Sequence, residues 1–157
     1  MPRRKYEHHS ATADTKYNSI AVSKFINIVM KDGKKTIAQD IVYGALDMLK
    51  EKKLDPIAVL DKVIEEVGPK FTVRPRRIGG ASYMVPKENT PKHRLFLAID
   101  WVVSAARDRS NKEYHSFQEK LVAELEEAYQ GKGEAVNKRV QTEKLAEQNK
   151  VFAHFAW

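Results

Sequence analysis

Between Lys70 and Arg94, seven cations (Lys70, Arg74, Arg76, Arg77, Lys87, Lys92 and Arg94) stand against a single anion, Glu88, so this stretch holds +6 of the chain's net +7. Guanidinium groups pair in forked fashion with phosphates and stack on bases, so the chemistry on offer is the gripping of a polyanion. Residues 2–5 (Pro-Arg-Arg-Lys) add +3, whereas residues 6–69 and 95–157 each set nine cations against ten anions. A nearly neutral body carries two strongly positive appendages.

Bond-making chemistry has weaker support. Gly33-Lys34-Lys35-Thr36 invites comparison with a phosphate-binding loop, but Lys35 stands where Ser or Thr is required and Ile28 where the earlier glycine belongs. The histidines (His8, His9, His93, His115, His154) show no ligand spacing on a helix, and no cysteine is present, so no metal site, cofactor, disulfide or thiolate zinc site is expected. Carboxylates such as Asp61 and Glu65, beside Lys62, fall at helix-surface spacing and read as solvated faces. No nucleophile has a base near it. A non-enzymatic binding protein is expected.

The cationic stretch needs an element to hold it out. Gly79-Gly80 lies between two β-rich runs, and a two-residue hairpin turn needs positive φ, which glycine adopts without a Cβ clash. The expected hairpin runs from Phe71 to Ile78 and returns from Ala81 to Val85, with residues 70–87 forming the arm as a whole. That register sets Arg76 opposite Tyr83 and Arg74 opposite Val85 on one face, and Arg77 opposite Ser82 and Pro75 opposite Met84 on the other. Pro75 and Pro86 withhold ladder donors, which suits an isolated ribbon reaching roughly 25 Å from the body. The plainer reading is a solvated hairpin whose charges only prevent edge-to-edge pairing, but one or two lysines suffice for that.

At 157 residues and 42% hydrophobic content, the chain has the size of one domain and enough apolar residues for a core. No apolar run approaches the roughly 20 residues of a membrane span, and no secretory leader is visible, so a cytoplasmic protein with no membrane contact is expected. Residues 1–18 read as a basic, flexible extension. Ser19 caps a helix from Ile20 to Lys31 with Val22, Phe25, Ile26 and Val29 on one stripe, and Asp32-Gly33 ends it. A second helix, to Glu51, turns Ile37, Ile41, Ala45, Met48 and Leu49 inward. Asp55-Pro56 opens a third, with Ile57, Leu60, Val63, Ile64 and Val67 inward, and Gly68-Pro69 stops it.

The signature of a cap followed by proline returns at Asn89-Thr90-Pro91 and predicts a fourth helix over Pro91–Asp108. Leu95, Ile99, Val102 and Ala106 face inward there, with Phe96 and Val103 beside them and Trp101 as an anchor. A fifth helix spans Tyr114 to Gln130, and Gly131-Lys132-Gly133 breaks it. A sixth, from Glu134, is charged enough to lie on the surface. Residues 151–157 form an aromatic tail that either packs on the body or serves as a platform beside RNA. The expected architecture is mostly α: a six-helix bundle-like body with a protruding two-stranded β-hairpin arm between the third and fourth helices, all one RNA-binding domain over 1–157.

Several motifs together resemble a known family. They are the opening Met-Pro-Arg-Arg, Lys31-Asp32-Gly33-Lys34-Lys35, Val73-Arg74-Pro75-Arg76-Arg77-Ile78-Gly79-Gly80-Ala81-Ser82-Tyr83 with Val85-Pro86, Gly131-Lys132-Gly133-Glu134-Ala135-Val136, and the close Phe152-Ala153-His154-Phe155-Ala156-Trp157. Across essentially its whole length the chain resembles the bacterial form of the seventh protein family of the small ribosomal subunit. The resemblance implies direct binding to the 3′ major domain of small-subunit ribosomal RNA and nucleation of head assembly. It also implies a place at the subunit interface near the exit tRNA and messenger RNA, with the ninth and eleventh small-subunit proteins as neighbours. Carried over by position, RNA contacts fall on Arg3, Arg4, Lys5, Lys34, Lys35, Arg74, Arg76, Arg77, Lys92, Arg94, Arg107, Arg109, Lys138 and Arg139. Arg76, Arg77, Gly79, Gly80, Tyr83 and Trp157 would lie near exit-site tRNA and messenger RNA. Two departures stand out: Phe155-Ala156-Trp157 replaces the family's usual Tyr-Arg-Trp, and residues 111–117 differ from its usual helix junction. The rival reading is a DNA-bending architectural protein, which also uses arginine-rich β-arms around a proline.

Overall fold

The structure, a computed structural model, describes residues 12–156. Six helices follow one another as α1 (Ile20–Val29), α2 (Lys35–Glu51), α3 (Pro56–Val67), α4 (Pro91–Asp108), α5 (Phe117–Tyr129) and α6 (Glu134–Gln148). An antiparallel ribbon, β1 (Phe71–Ile78) and β2 (Ala81–Glu88), interrupts them between α3 and α4, and a 3₁₀ helix, Lys150–Phe155, closes the described chain. The mostly α body with a hairpin between its third and fourth helices is the architecture expected. Among the described residues, no helix is long and apolar enough to cross a membrane.

Local chemistry sets most of the boundaries. At the start of α3 the Asp55 carboxylate accepts a hydrogen bond from the Ile57 amide at 3.1 Å, and Pro56 occupies the first turn, where its missing N–H costs nothing. Helix α1 stops at Val29, two residues short of expectation: Met30 takes an extended ψ of 133°, and Asp32 and Gly33, both at positive φ, then turn the chain into α2. Helix α5 starts at Phe117 rather than Tyr114. There the Ser116 hydroxyl accepts from the Glu119 amide at 3.2 Å and the Glu119 carboxylate accepts from the Ser116 amide at 3.4 Å, a reciprocal cap that fixes the start.

Helix α5 lies against α2, α3, α4 and α6, and its Leu121, Leu125 and Ala128 are sealed from solvent. Phe25, Ile26, Leu46, Leu49, Val63 and Ile99 close around them, each fully buried aliphatic or aromatic side chain contributing about 1.5–3 kcal/mol. Trp101 joins this core at 7% exposure. Gly44 of α2 leaves room for the end of the Gln118 side chain from α5, whose Nε2 would lie 2.5 Å from a Cβ there.

One face is rotated from expectation, and one residue of another face, otherwise as expected, lies outside the core. Helix α2 buries Ala38, Val42, Ala45, Leu46 and Leu49 and leaves Ile37 54% exposed, with Ile41 and Met48 only partly covered. Apolar residues span about half the circumference of this helix, so their spacing did not fix which edge of that arc faces inward; contact with α1 and α5 did. In α4, Phe96 is 47% exposed and stacks on His93 rather than entering the core. Helix α6 is a surface helix, as expected, burying only Ala135, Val136 and Ala146.

Buried polar groups tie the elements together. Glu124 is 1% exposed, accepts from Arg109 Nε at 2.9 Å, and accepts from the Ala135 amide at 3.1 Å through its other oxygen. Arg109 also donates to Glu127 at 2.6 Å. Burial lowers the Arg109 pKa, but the hydrogen bonds to Glu127 and Glu124 outweigh it and raise the pKa overall. Lys120, also buried, donates to the Arg109 carbonyl and the Asn111 side chain.

Part of the segment expected as a flexible extension is tied down. Asp14 accepts from the Tyr43 hydroxyl at 2.7 Å and from the amides of Lys16 and Tyr17 at 3.0 and 3.1 Å. Asp47 accepts from Lys16 Nζ at 2.9 Å and from the Tyr17 hydroxyl at 3.0 Å, which fastens the segment to α2.

Three outcomes follow. Trp101→Ala should lower stability by about 3–5 kcal/mol in chemical denaturation, through lost burial and an unfilled cavity. Arg109→Ala should cost about 3–5 kcal/mol by the same measurement, because the buried Glu124 carboxylate is left without its partner. Burial raises the Asp14 pKa, but hydrogen bonds from Tyr43, Tyr17 and Lys16 bring it net below 3.8; the hydrogen bond from Lys16 leads in lowering that of Asp47. With folded-state values depressed, the contribution is complete above the unfolded carboxylate value and fades as pH falls below about 4. Amide protection at residues 14–18, taken relative to the intrinsic exchange rate at each pH, should therefore fall in acid before that of α5 does.

Candidate nucleic-acid interface

The ribbon presents the densest set of expected contacts. Gly79 and Gly80 take φ of 57° and 88°, the doubly positive turn that matches strand twist, and the register pairs Arg76 with Tyr83, Arg74 with Val85, Arg77 with Ser82 and Pro75 with Met84. Strand β2 runs on to Glu88, three residues beyond expectation, so Phe71 pairs with Glu88 across the base.

That base is built as a rigid neck. Asn89, almost fully buried, donates from Nδ2 to the Pro69 carbonyl at 3.1 Å and accepts from the Thr72 hydroxyl at 2.8 Å, while its amide donates to the Lys70 carbonyl. Arg94 Nε and a terminal nitrogen donate to the Gly68 carbonyl at 3.3 and 3.1 Å, clasping the end of α3 to the start of α4. Glu143 of α6 accepts from the Lys70 amide at 3.0 Å. The sequence marks Asn89 as part of a helix cap, and Glu143 is among the carboxylates at helix-surface spacing that read as solvated faces. The lone signal for Asn89 is an amide side chain standing just before the cap itself, Thr90.

Part of one ribbon face is covered, which corrects the picture of an isolated hairpin. The C-terminal 3₁₀ helix sets the Phe152 and Phe155 rings 5.3 and 5.6 Å from the Tyr83 ring, and Arg76 donates to the Phe155 carbonyl at 3.1 Å. Val85 is buried on the same face. The aromatic tail thus packs on the arm, an outcome between the two readings of its sequence. Arg74 and Arg77 stay exposed, with no ion pair among the described residues.

A second cationic site forms where the chain returns on itself. Lys34, at the corner between α1 and α2, and Arg107, at the end of α4, line one groove together with Lys31, Met30, Ile37 and Phe117. Arg107 reaches the carbonyls of Ile28 and Val29 at 3.5 and 3.4 Å, placing a cation at the negative end of α1. Lys35 is exposed at the first position of α2, and no side chain caps that helix. Lys31 belongs to the Lys31-Asp32-Gly33-Lys34-Lys35 motif, yet motif alone did not single it out as a site residue.

The remaining candidates divide. Lys92 is exposed on α4, and Lys138 lies with its Nζ 5.7 Å from the Trp101 ring centroid. Arg139 approaches Glu66 and Glu143 at 3.9 and 3.8 Å, and Arg109 is enclosed by Glu124 and Glu127. Those two guanidiniums already face carboxylates of the chain. Arg3, Arg4, Lys5 and Trp157 lie outside the described residues. Among the described residues, no three His, Cys, Asp or Glu converge on a metal-holding group.

Comparison with known proteins agrees with this geometry. The family model described as "Ribosomal protein S7p/S5e" matches residues 1–150. A protein of Hydrogenobaculum sp. (strain Y04AAS1), titled "Small ribosomal subunit protein uS7", is 49% identical over 160 residues, covering 100% of both chains. Proteins of the same title from Thermoanaerobacter sp. (strain X514) and Thermotoga neapolitana are 48% and 47% identical, again over 100% of both chains. A basic ribbon on a rigid neck, a second basic groove and full-length identity near one half lead to one assignment: the chain belongs to the ribosomal protein S7p/S5e family, structural and non-enzymatic proteins of the small ribosomal subunit.

Proposed function

We propose that the chain binds small-subunit ribosomal RNA directly, in the 3′ major domain, and nucleates folding of the head of the subunit in the cytoplasm. The observation that carries this is the separation of two outward-facing cationic sites by a nearly neutral helical body: Arg74 and Arg77 on the ribbon, Lys34 and Arg107 in the groove. A body that holds such sites at fixed geometry grips RNA segments remote in sequence and so selects a folded shape. Phosphate contacts supply salt-sensitive affinity, and RNA form supplies selectivity.

In this reading the ribbon tip, Gly79 and Gly80, with Arg76, Arg77, Tyr83 and Trp157, lies near exit-site tRNA and messenger RNA. The ninth and eleventh small-subunit proteins are its neighbours. Arg3, Arg4, Lys5, Lys35, Lys92 and Lys138 extend the RNA footprint. Arg94 acts by holding the ribbon neck, and Arg109 and Arg139 by joining helices. The DNA-bending alternative is disfavoured by one placement: Pro75 sits opposite Met84 well down the ribbon, not at the tip where a wedge would enter a base step.

Competition between a structured fragment of the 3′ major domain and duplex DNA at physiological salt tests the choice. Tighter RNA binding is expected, and preference for the duplex would reverse the assignment. Arg74→Ala with Arg77→Ala should leave the far-UV helical signal intact and flatten the salt dependence of RNA binding by about 1 to 2 units of log–log slope. An unchanged slope would remove the ribbon from the interface.

A further inference from the structure

The groove between the α1–α2 corner and the end of α4 encloses about 300 Å³ and is built in two parts. Ile37, Ile41 and Phe117 give it an apolar floor, and Lys31, Lys34 and Arg107 give it a rim. No carboxylate lines it, and none of the three cations makes an ion pair among the described residues. Ile37 is 54% exposed there, so a large aliphatic side chain is held in water beside two lysines.

An apolar protein segment would fill the floor and leave three cations without a counter-charge. A bare phosphate would satisfy the rim and leave the floor wet. A nucleotide does both, because its base has an apolar π-face and its backbone carries the anion. We propose that this groove receives one unpaired RNA base turned out of its stack, with the base against Phe117 and Ile37 and the flanking phosphates on Lys31 and Lys34. Arg107, steadied by the carbonyls of Ile28 and Val29, offers its guanidinium as a second stacking plane. The floor presents no strong hydrogen-bonding side chain, so the base is held by its face and its identity matters little. The inference rests on the RNA-binding reading above and names the moiety that one of its two sites takes.

The test uses the whole chain and a structured fragment of the 3′ major domain carrying 2-aminopurine at each unpaired position in turn. Wild-type protein should change the fluorescence strongly at one position. Ile37→Asn, half in solvent and neutral, and Phe117→Leu, apolar but without a ring, should each abolish that change. Each should weaken binding about 5- to 150-fold, the range expected for losing one stacked base, while the salt slope stays as in wild type. Lys34→Ala should instead lower the slope by about 1. Wild-type affinity and an unaltered fluorescence pattern in both Ile37→Asn and Phe117→Leu would exclude the base from the groove and leave RNA binding standing. Failure of the wild-type chain to bind the fragment at all would overturn both readings.

Discussion

The arrangement depends on a carboxylate that has almost no access to water. Glu124, on the central helix α5, is 1% exposed and holds Arg109 at the exit of α4 with one oxygen and the Ala135 amide at the start of α6 with the other. A charge in that position is tolerated only while it is paired and hydrogen-bonded, so it demands one placement of three helices at once. Helix α6 has too little apolar surface to choose its own seat, burying only two alanines and a valine. The polar tie at its first turn therefore does what hydrophobic area does for α1 and α3.

From α6 the constraint passes to the ribbon. Glu143 takes the Lys70 amide at the root of β1, and the chain beyond Gln148 turns into the 3₁₀ helix whose Phe152 and Phe155 cover Tyr83. A two-stranded hairpin is marginal in water on its own. Here Asn89 and Arg94 lock its neck, while the C-terminal aromatics cover part of one face. The cationic arm is thereby ordered before it meets any partner, which removes from the binding step the conformational entropy that a mobile arm would lose.

The division of labour among the arginines follows from the same packing. Arg107 and Arg109 stand two residues apart at the end of α4, yet one lines an open groove and the other is enclosed by Glu124 and Glu127. Arg76 and Arg77 are neighbours on β1, and strand alternation turns the first toward the C-terminal helix and leaves the second exposed. Overall charge therefore overstates the cations available to an anionic partner.

Local chemistry that acts within a few residues was readable directly. Gly79-Gly80 specified the turn and with it the whole ribbon register, and Asp55-Pro56 and Thr90-Pro91 opened α3 and α4; the Ser116 to Glu119 box that starts α5 is equally local, yet the expected start at Tyr114 missed it. These signals are legible because each needs only φ, a cap or a missing N–H. Which face of α2 turned inward was not legible, since Ile37 and Val42 are equally apolar and only contact with α1 and α5 distinguishes them. The same holds for Arg107 against Arg109, and for the docking of Phe152 and Phe155 on Tyr83, some 70 residues away in the chain. Sequence determined the elements and the sign of the charge; tertiary packing decided which cations remain outward, because long-range carboxylates and aromatic surfaces have no local signature.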